Sequence, residues 1–191
     1  MTIRPIFAAL VLTLLFTVTA TTAQTRLNSN EIASSLQGVS QLGMSAASLR
    51  EGAAANIRRN PGQNAMGRPL LYPDLEKQAQ FTIAIDFDFG SAAIRPASYR
   101  AVGLMADSLR HPVLFGYKFL VIGHTDAVGG REANLRLSQR RAEAIRNALI
   151  DPFGIDPRLL EAVGLGEEQL RDSQHPTAAI NRRVQLINIG K

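Results

Sequence analysis

Hydrophobic and polar positions along this chain change period several times, and each change marks an element. Phe81, Ile83, Ile85 and Phe87 alternate with Thr82, Ala84, Asp86 and Asp88, the two-residue period of a half-buried strand. Pro96 suits a first helical turn, and Tyr99, Val102, Met105, Ala106 and Leu109 keep helical spacing until His111 and Pro112 stop it. An apolar run from Tyr117 to Gly123 predicts a second strand. A long helix follows it, and Asp151, Pro152 and Gly154 end that helix. Strands through Leu160 to Gly164 and Arg183 to Ile189 close the series. Strand, helix, strand, helix, strand, strand is an α+β order. It implies a single mixed sheet with helices packed on one face.

The first part of the chain has a different texture. Arg4 precedes an apolar run from Ile6 to Leu15 that fades through small residues into Thr21, Thr22 and Ala23. That pattern predicts a secretory signal peptide over 1–23, cleaved after Ala23 or after Ala20. The rival reading is an uncleaved inner-membrane anchor through residues 6–20, although the apolar run is shorter than a spanning helix requires. Residues 24–75 are rich in Ser, Gly, Ala and Asn, with breaks at Pro61, Pro69 and Pro73, and are expected to be a flexible linker. Within them Ile32, Leu36, Val39, Leu42, Ala46, Leu49, Ala53 and Ile57 recur every three or four residues. This permits an amphipathic helix, interrupted by Gly38, Gly43 and Gly52. The globular domain is then 76–191.

The helix after the second strand carries the most informative residue. Turned at about 100° per residue, Leu137, Ala144, Ile145, Ala148 and Leu149 share one half of it, and Arg141 falls in the middle of that half. Gln139, Arg140, Glu143, Arg146 and Asn147 take the opposite, solvated half. A guanidinium facing a core needs an anion. The nearest in sequence is Asp126, in the loop after the second strand. The pair is either a structural ion pair or a pocket with one charge of each sign.

Thr125, Asp126, Gly129, Asn134, Leu137, Ser138, Arg141 and Ala142 together resemble the core signature of OmpA-like C-terminal domains, modules that hold bacterial outer membrane proteins to peptidoglycan. Phe87 to Ala93 resembles the first strand and turn of that family. Gly164 to Glu167 and Asn181 to Val184 resemble its closing segments. In order, these motifs span roughly 79–189. The resemblance implies non-covalent binding of peptidoglycan, whose diaminopimelate ends in an ammonium and a carboxylate on one carbon. Asp126 would take the ammonium and Arg141 the carboxylate, the latter through paired hydrogen bonds. Thr125, Asn134 and Arg182 match positions that help line the same pocket. Asn134 also reads as a helix N-cap. Arg182 and Arg183 are adjacent before a strand, so only one can face the site.

Composition narrows the remaining classes. The chain has no cysteine, hence no disulfide framework, thiolate metal site or acylated lipobox. His124 and Asp126 alone make a poor metal site, and no serine has a base and an orienting acid in view. No metal, cofactor or enzymatic activity is therefore expected. Net charge is +5, and of the 21 basic residues all but Lys77, Lys118 and Lys191 are arginine. They are scattered among acids without interleaved aromatics, which argues against nucleic acid. A periplasmic wall-binding module is expected, linked to the outer membrane or to envelope proteins through residues 24–75.

Overall fold

A computed structural model describes residues 28–38, 43 and 45–191. The expected signal segment, and Val39 and Leu42 of the periodic stretch, lie outside the described residues.

Strands β1 (Gln80–Ile83), β2 (Lys118–His124), β3 (Leu160–Gly166) and β4 (Val184–Gly190) form one sheet in the order β1-β4-β2-β3. β4 runs antiparallel to both neighbours, and β2 and β3 are parallel. Helices α3 (Tyr99–Leu109) and α4 (Arg131–Ile150) connect them in the predicted order. The mixed α+β architecture is thus the one the periodicities indicate.

β2 lies inside the sheet and explains its own composition. Phe119 and Val121 enter a core with Val102, Met105, Ile145 and Leu149 from α3 and α4, whereas Leu120 and Ile122 point the other way. Burial on both faces requires a continuous apolar run rather than alternation. The second face is closed by the segment expected to be a linker. Helix α1 (Ser29–Leu36) joins the α3 and α4 side, and α2 (Ala46–Arg59) lays Ala46, Leu49 and Ala53 on the opposite side against Leu120, Ile122, Val163 and Ile187. Helices therefore cover both faces, not one.

Local chemistry supports both added helices. Asn28 and Glu31 form a capping box at α1, and Ser45 accepts from the Ser48 N–H at α2. Asn188 on β4 donates to the carbonyl of Leu36 at 2.9 Å and so ties down the end of α1. Gly52 counts against a helix by intrinsic propensity, yet it sits inside α2 because a Cβ there would collide with the Tyr72 hydroxyl. That hydroxyl donates to the Leu49 carbonyl at 2.8 Å. The cost of the glycine is offset by docking of the 71–75 segment.

α4 also seals the edge of the sheet. Gln139 accepts from Gly164 N–H at 2.7 Å, Arg146 donates to the Leu160 carbonyl at 2.8 Å, and Ser138 accepts from Gly166 N–H at 2.8 Å. β3 is an edge strand, and these bonds satisfy groups that would otherwise template aggregation. Gln139 and Arg146 are thus edge partners instead of solvated residues. Among the described residues no helix is long and apolar enough to cross a membrane.

Candidate functional site

β1 stops earlier than its alternation suggests. After Ile83 the chain leaves the sheet and folds on itself: Asp88 N–H donates to Ala93 and Arg95 N–H to Asp86, with Phe87 and Ile94 bridged. The Asp86 N–H is held by Ser98 Oγ at 2.9 Å. This loop forms one wall of a cleft of about 330 Å³, lined in part by Asp86, Phe87, Phe89, Arg95, Arg141 and Arg182. Phe89 stands fully exposed at its mouth.

The other wall is α4. Its buried stripe runs through Asn134, Ser138, Ala142, Ile145 and Leu149, so Arg141 lies on the flank of that stripe and not at its centre. It is half-buried. Its Nε donates to the Ser91 carbonyl at 3.0 Å, and its guanidinium carbon sits 4.8 Å from the centre of the Phe87 ring. Among the described residues it has no ion-pair partner, and its two terminal nitrogens have no hydrogen bond. Partial burial lowers its pKa. Asp126 opposes that shift, while Arg182 and Arg140 add to it. An arginine so placed stays charged and is poorly compensated.

Asp126 is 8% exposed and lies two residues past the end of β2. The expected contact with Arg141 is not made. Asp126 Oδ2 instead accepts from Arg182 Nη1 at 2.6 Å, and its Oδ1 accepts from Val128 N–H at 3.2 Å. The physical reason is register: the turn before β4 delivers Arg182 to the end of β2, while Phe87 and Ser91 hold Arg141 away. Asp126 still acts on Arg141 through space, so the two belong to one electrostatic site.

Thr125 and Asn134 lie behind the cleft. Thr125 N–H donates to the Gly166 carbonyl at 3.0 Å, and its buried Oγ1 has no hydrogen-bond partner among the described residues. Asn134 is not the helix cap, since Gly130 occupies that position and Asn134 N–H is spent on the Gly130 carbonyl. Its Nδ2 donates to the carbonyls of Asp126 and Val128, each at 3.2 Å, and to Glu167 Oε2 at 2.8 Å. It fixes the loop carrying Asp126. Of the two adjacent arginines, Arg182 faces the cleft and is about half exposed, whereas Arg183 is buried and donates to the Gln169 carbonyl.

Three contributors had no role assigned from sequence. Phe87 and Ser91 position Arg141, and Glu167 orients Asn134. Each sits inside a motif quoted above, but only contact through space shows its partner. Beneath the site His124 is wholly buried. Burial and then the Arg183 charge push its pKa well below the usual histidine value, with Gln185 acting the other way. Among the described residues no three His, Cys, Asp or Glu side chains are grouped to hold a metal.

A family model described as the OmpA family matches residues 86–183. Among curated proteins, outer membrane porin F of Pseudomonas aeruginosa is 33% identical over 117 residues, covering 59% of this chain and 32% of that protein. The peptidoglycan-associated lipoprotein of the same organism is 35% identical over 102 residues, covering 52% of this chain and 58% of that protein. This chain spans less than two thirds of the length of either relative. Among solved structures, the peptidoglycan-associated lipoprotein from Burkholderia pseudomallei is 34% identical with a TM-score of 0.45, covering 56% of this chain and 88% of that one.

Proposed function

This chain belongs to the OmpA family, and on that premise we propose that it binds peptidoglycan non-covalently in the periplasm and links the wall to the outer membrane or a membrane complex. The observation that carries the reading is Arg141: a half-buried guanidinium with its terminal nitrogens unengaged, lining a cleft and within electrostatic reach of Asp126. Leaving such a charge partly desolvated and unpaired is costly. A ligand carboxylate would recover that cost through two charge-assisted hydrogen bonds.

The ligand class follows from the second charge. Arg182 now occupies Asp126, but its side chain is about half exposed, so an outward rotamer would meet solvent and not core. The ammonium of a diaminopimelate end takes that place on Asp126, and Arg182 turns to the ligand carboxylate already held by Arg141. The zwitterion thus replaces an internal ion pair with two external ones. Asn134 keeps the Asp126 loop at the required height, and Thr125 Oγ1 supplies a spare hydrogen-bonding group behind it. Names of relatives such as the peptidoglycan-associated lipoprotein support the wall as the target.

The test is a sacculus pull-down comparing the parent with folded Arg141→Ala and Asp126→Ala variants. A charge-assisted bond of about 1.5–3 kcal/mol corresponds to roughly a 10- to 100-fold weaker affinity for each. Equal retention of parent and variants would mean the pair is structural and that wall contact comes from surface charge.

A further inference from the structure

The cleft is braced by a residue from outside the family-matched region. Arg68 lies in the segment between α2 and β1 and is 7% exposed. Its Nη2 donates to Glu167 Oε1 and its Nη1 to Glu168 Oε1, both at 3.1 Å. Carbonyls of Gln63, Asn64 and Glu167 take further bonds from the same guanidinium. Glu168 has a second cation, Arg131, on both its oxygens at 2.9 and 2.7 Å. Glu167 has only Arg68 as an ion-pair contact among the described residues, with Arg131 acting on it at longer range.

The other oxygen of Glu167 accepts from Asn134 Nδ2, the group that also bonds the carbonyls of Asp126 and Val128. A buried carboxylate keeps its charge only when paired. Deprived of Arg68, Glu167 loses its ion-pair partner at 3.1 Å and turns toward water. A carboxylate displaced in this way no longer accepts from Asn134 Nδ2. The Asn134 amide then loses the shortest of the three bonds that orient it, and the Asp126 loop is held less firmly. The strap carrying Arg68 is itself pinned, since Gly67 N–H donates to the Ser173 carbonyl at 2.8 Å.

We propose that Arg68 is a positioning residue for the wall-binding cleft, acting on Asp126 through Glu167 and Asn134. The proposal rests on the wall-binding reading above. It makes the segment before β1 part of the binding unit. Displacing that segment weakens the cleft without touching any ligand contact.

The test uses the full chain. Arg68→Met removes the charge, and Arg68→Lys keeps the charge with a simpler donor and preserves the fold. Each is made in the parent and in an Asn134→Ala background. Coupling within a buried network predicts that Arg68→Met weakens sacculus binding by about tenfold and Arg68→Lys by roughly two- to fivefold. Both effects should vanish in the Asn134→Ala background, because the route from residue 68 to the cleft runs through that amide. Hydrogen exchange at Val128 N–H, measured without wall, should quicken in the same order. A folded Arg68 variant that binds as the parent does would overturn the proposal, as would a loss that persists undiminished beside Asn134→Ala. Should Arg68→Met fail to fold, Arg68→Lys decides alone. A parent chain that ignores sacculi defeats the wall-binding reading, and Val128 exchange then still decides whether Arg68 governs the loop.

Discussion

Replacing Leu49 with alanine tests whether α2 is part of the domain or only part of a tether. Leu49 is 0% exposed and packs with Leu120, Ile122, Val163 and Ile187 of the sheet. The substitution deletes about three carbons, which at roughly 0.8 kcal/mol each is about 2.4 kcal/mol of lost transfer free energy. A residual cavity adds to this, giving about 3 kcal/mol, inside the roughly 2–5 kcal/mol seen for such truncations. Helix propensity does not confuse the result, because alanine is at least as good a helix former as leucine. For a domain of this size about 3 kcal/mol lowers the melting temperature by roughly 6–12 °C. Urea and thermal unfolding of the parent, Leu49→Ala and the exposed control Ala47→Ser measure it, the control staying within about 0.5 kcal/mol. If Leu49→Ala unfolds within about 0.5 kcal/mol of the parent, α2 is dispensable. The packing argument for the second face of the sheet then fails.

Two further outcomes follow from buried groups. Gly52→Ala should destabilise the chain despite a helix gain of about 1 kcal/mol, because its Cβ meets the Tyr72 hydroxyl; in a Tyr72→Phe background, where the nearest atom is a ring carbon at 3.3 Å, the loss should shrink sharply. Urea titration of the four proteins reads the sign, and a destabilisation unchanged by removal of the hydroxyl would refute the steric cause. His124, whose folded pKa lies well below 6.5, carries no protonation cost above that pH. Below it the unfolded chain binds the proton first, so stability falls by about 1.4 kcal/mol per pH unit until the folded pKa is reached. His124→Leu should flatten that slope between about pH 6.5 and 5, and an unaltered slope in urea midpoints would show that other groups cause it.

Element types and their order are legible in the chain alone. Periods of two and of three to four residues are local properties. The alternation at 81–87, the spacing from Tyr99 to Leu109 and the double-faced apolar run of β2 therefore stand in the chain as written. The sequence also singled out Arg141 and Arg182, which line the cleft, and Asp126, which pairs with Arg182, since all three fall in recognisable motifs. Tertiary structure decided who pairs with whom. Asp126 bonds Arg182 and not Arg141, because the strand order β4-β2 sets the end of one strand beside the start of the other. Gln139 and Arg146 lie on the polar side of a helical wheel, yet they face the open edge of β3, which no wheel contains. The cover over the second face was hidden for a similar reason. Glycine lowers the helix tendency of α2, and only the sheet that buries Leu49 and Ala53, together with the Tyr72 hydroxyl that needs the gap at Gly52, reverses the balance. Arg68 is the extreme case: it lies 99 residues from Glu167, and nothing periodic connects them. Local pattern fixes what each segment becomes, whereas charge and cavity partners are fixed by proximity through space, which appears only once the chain has folded.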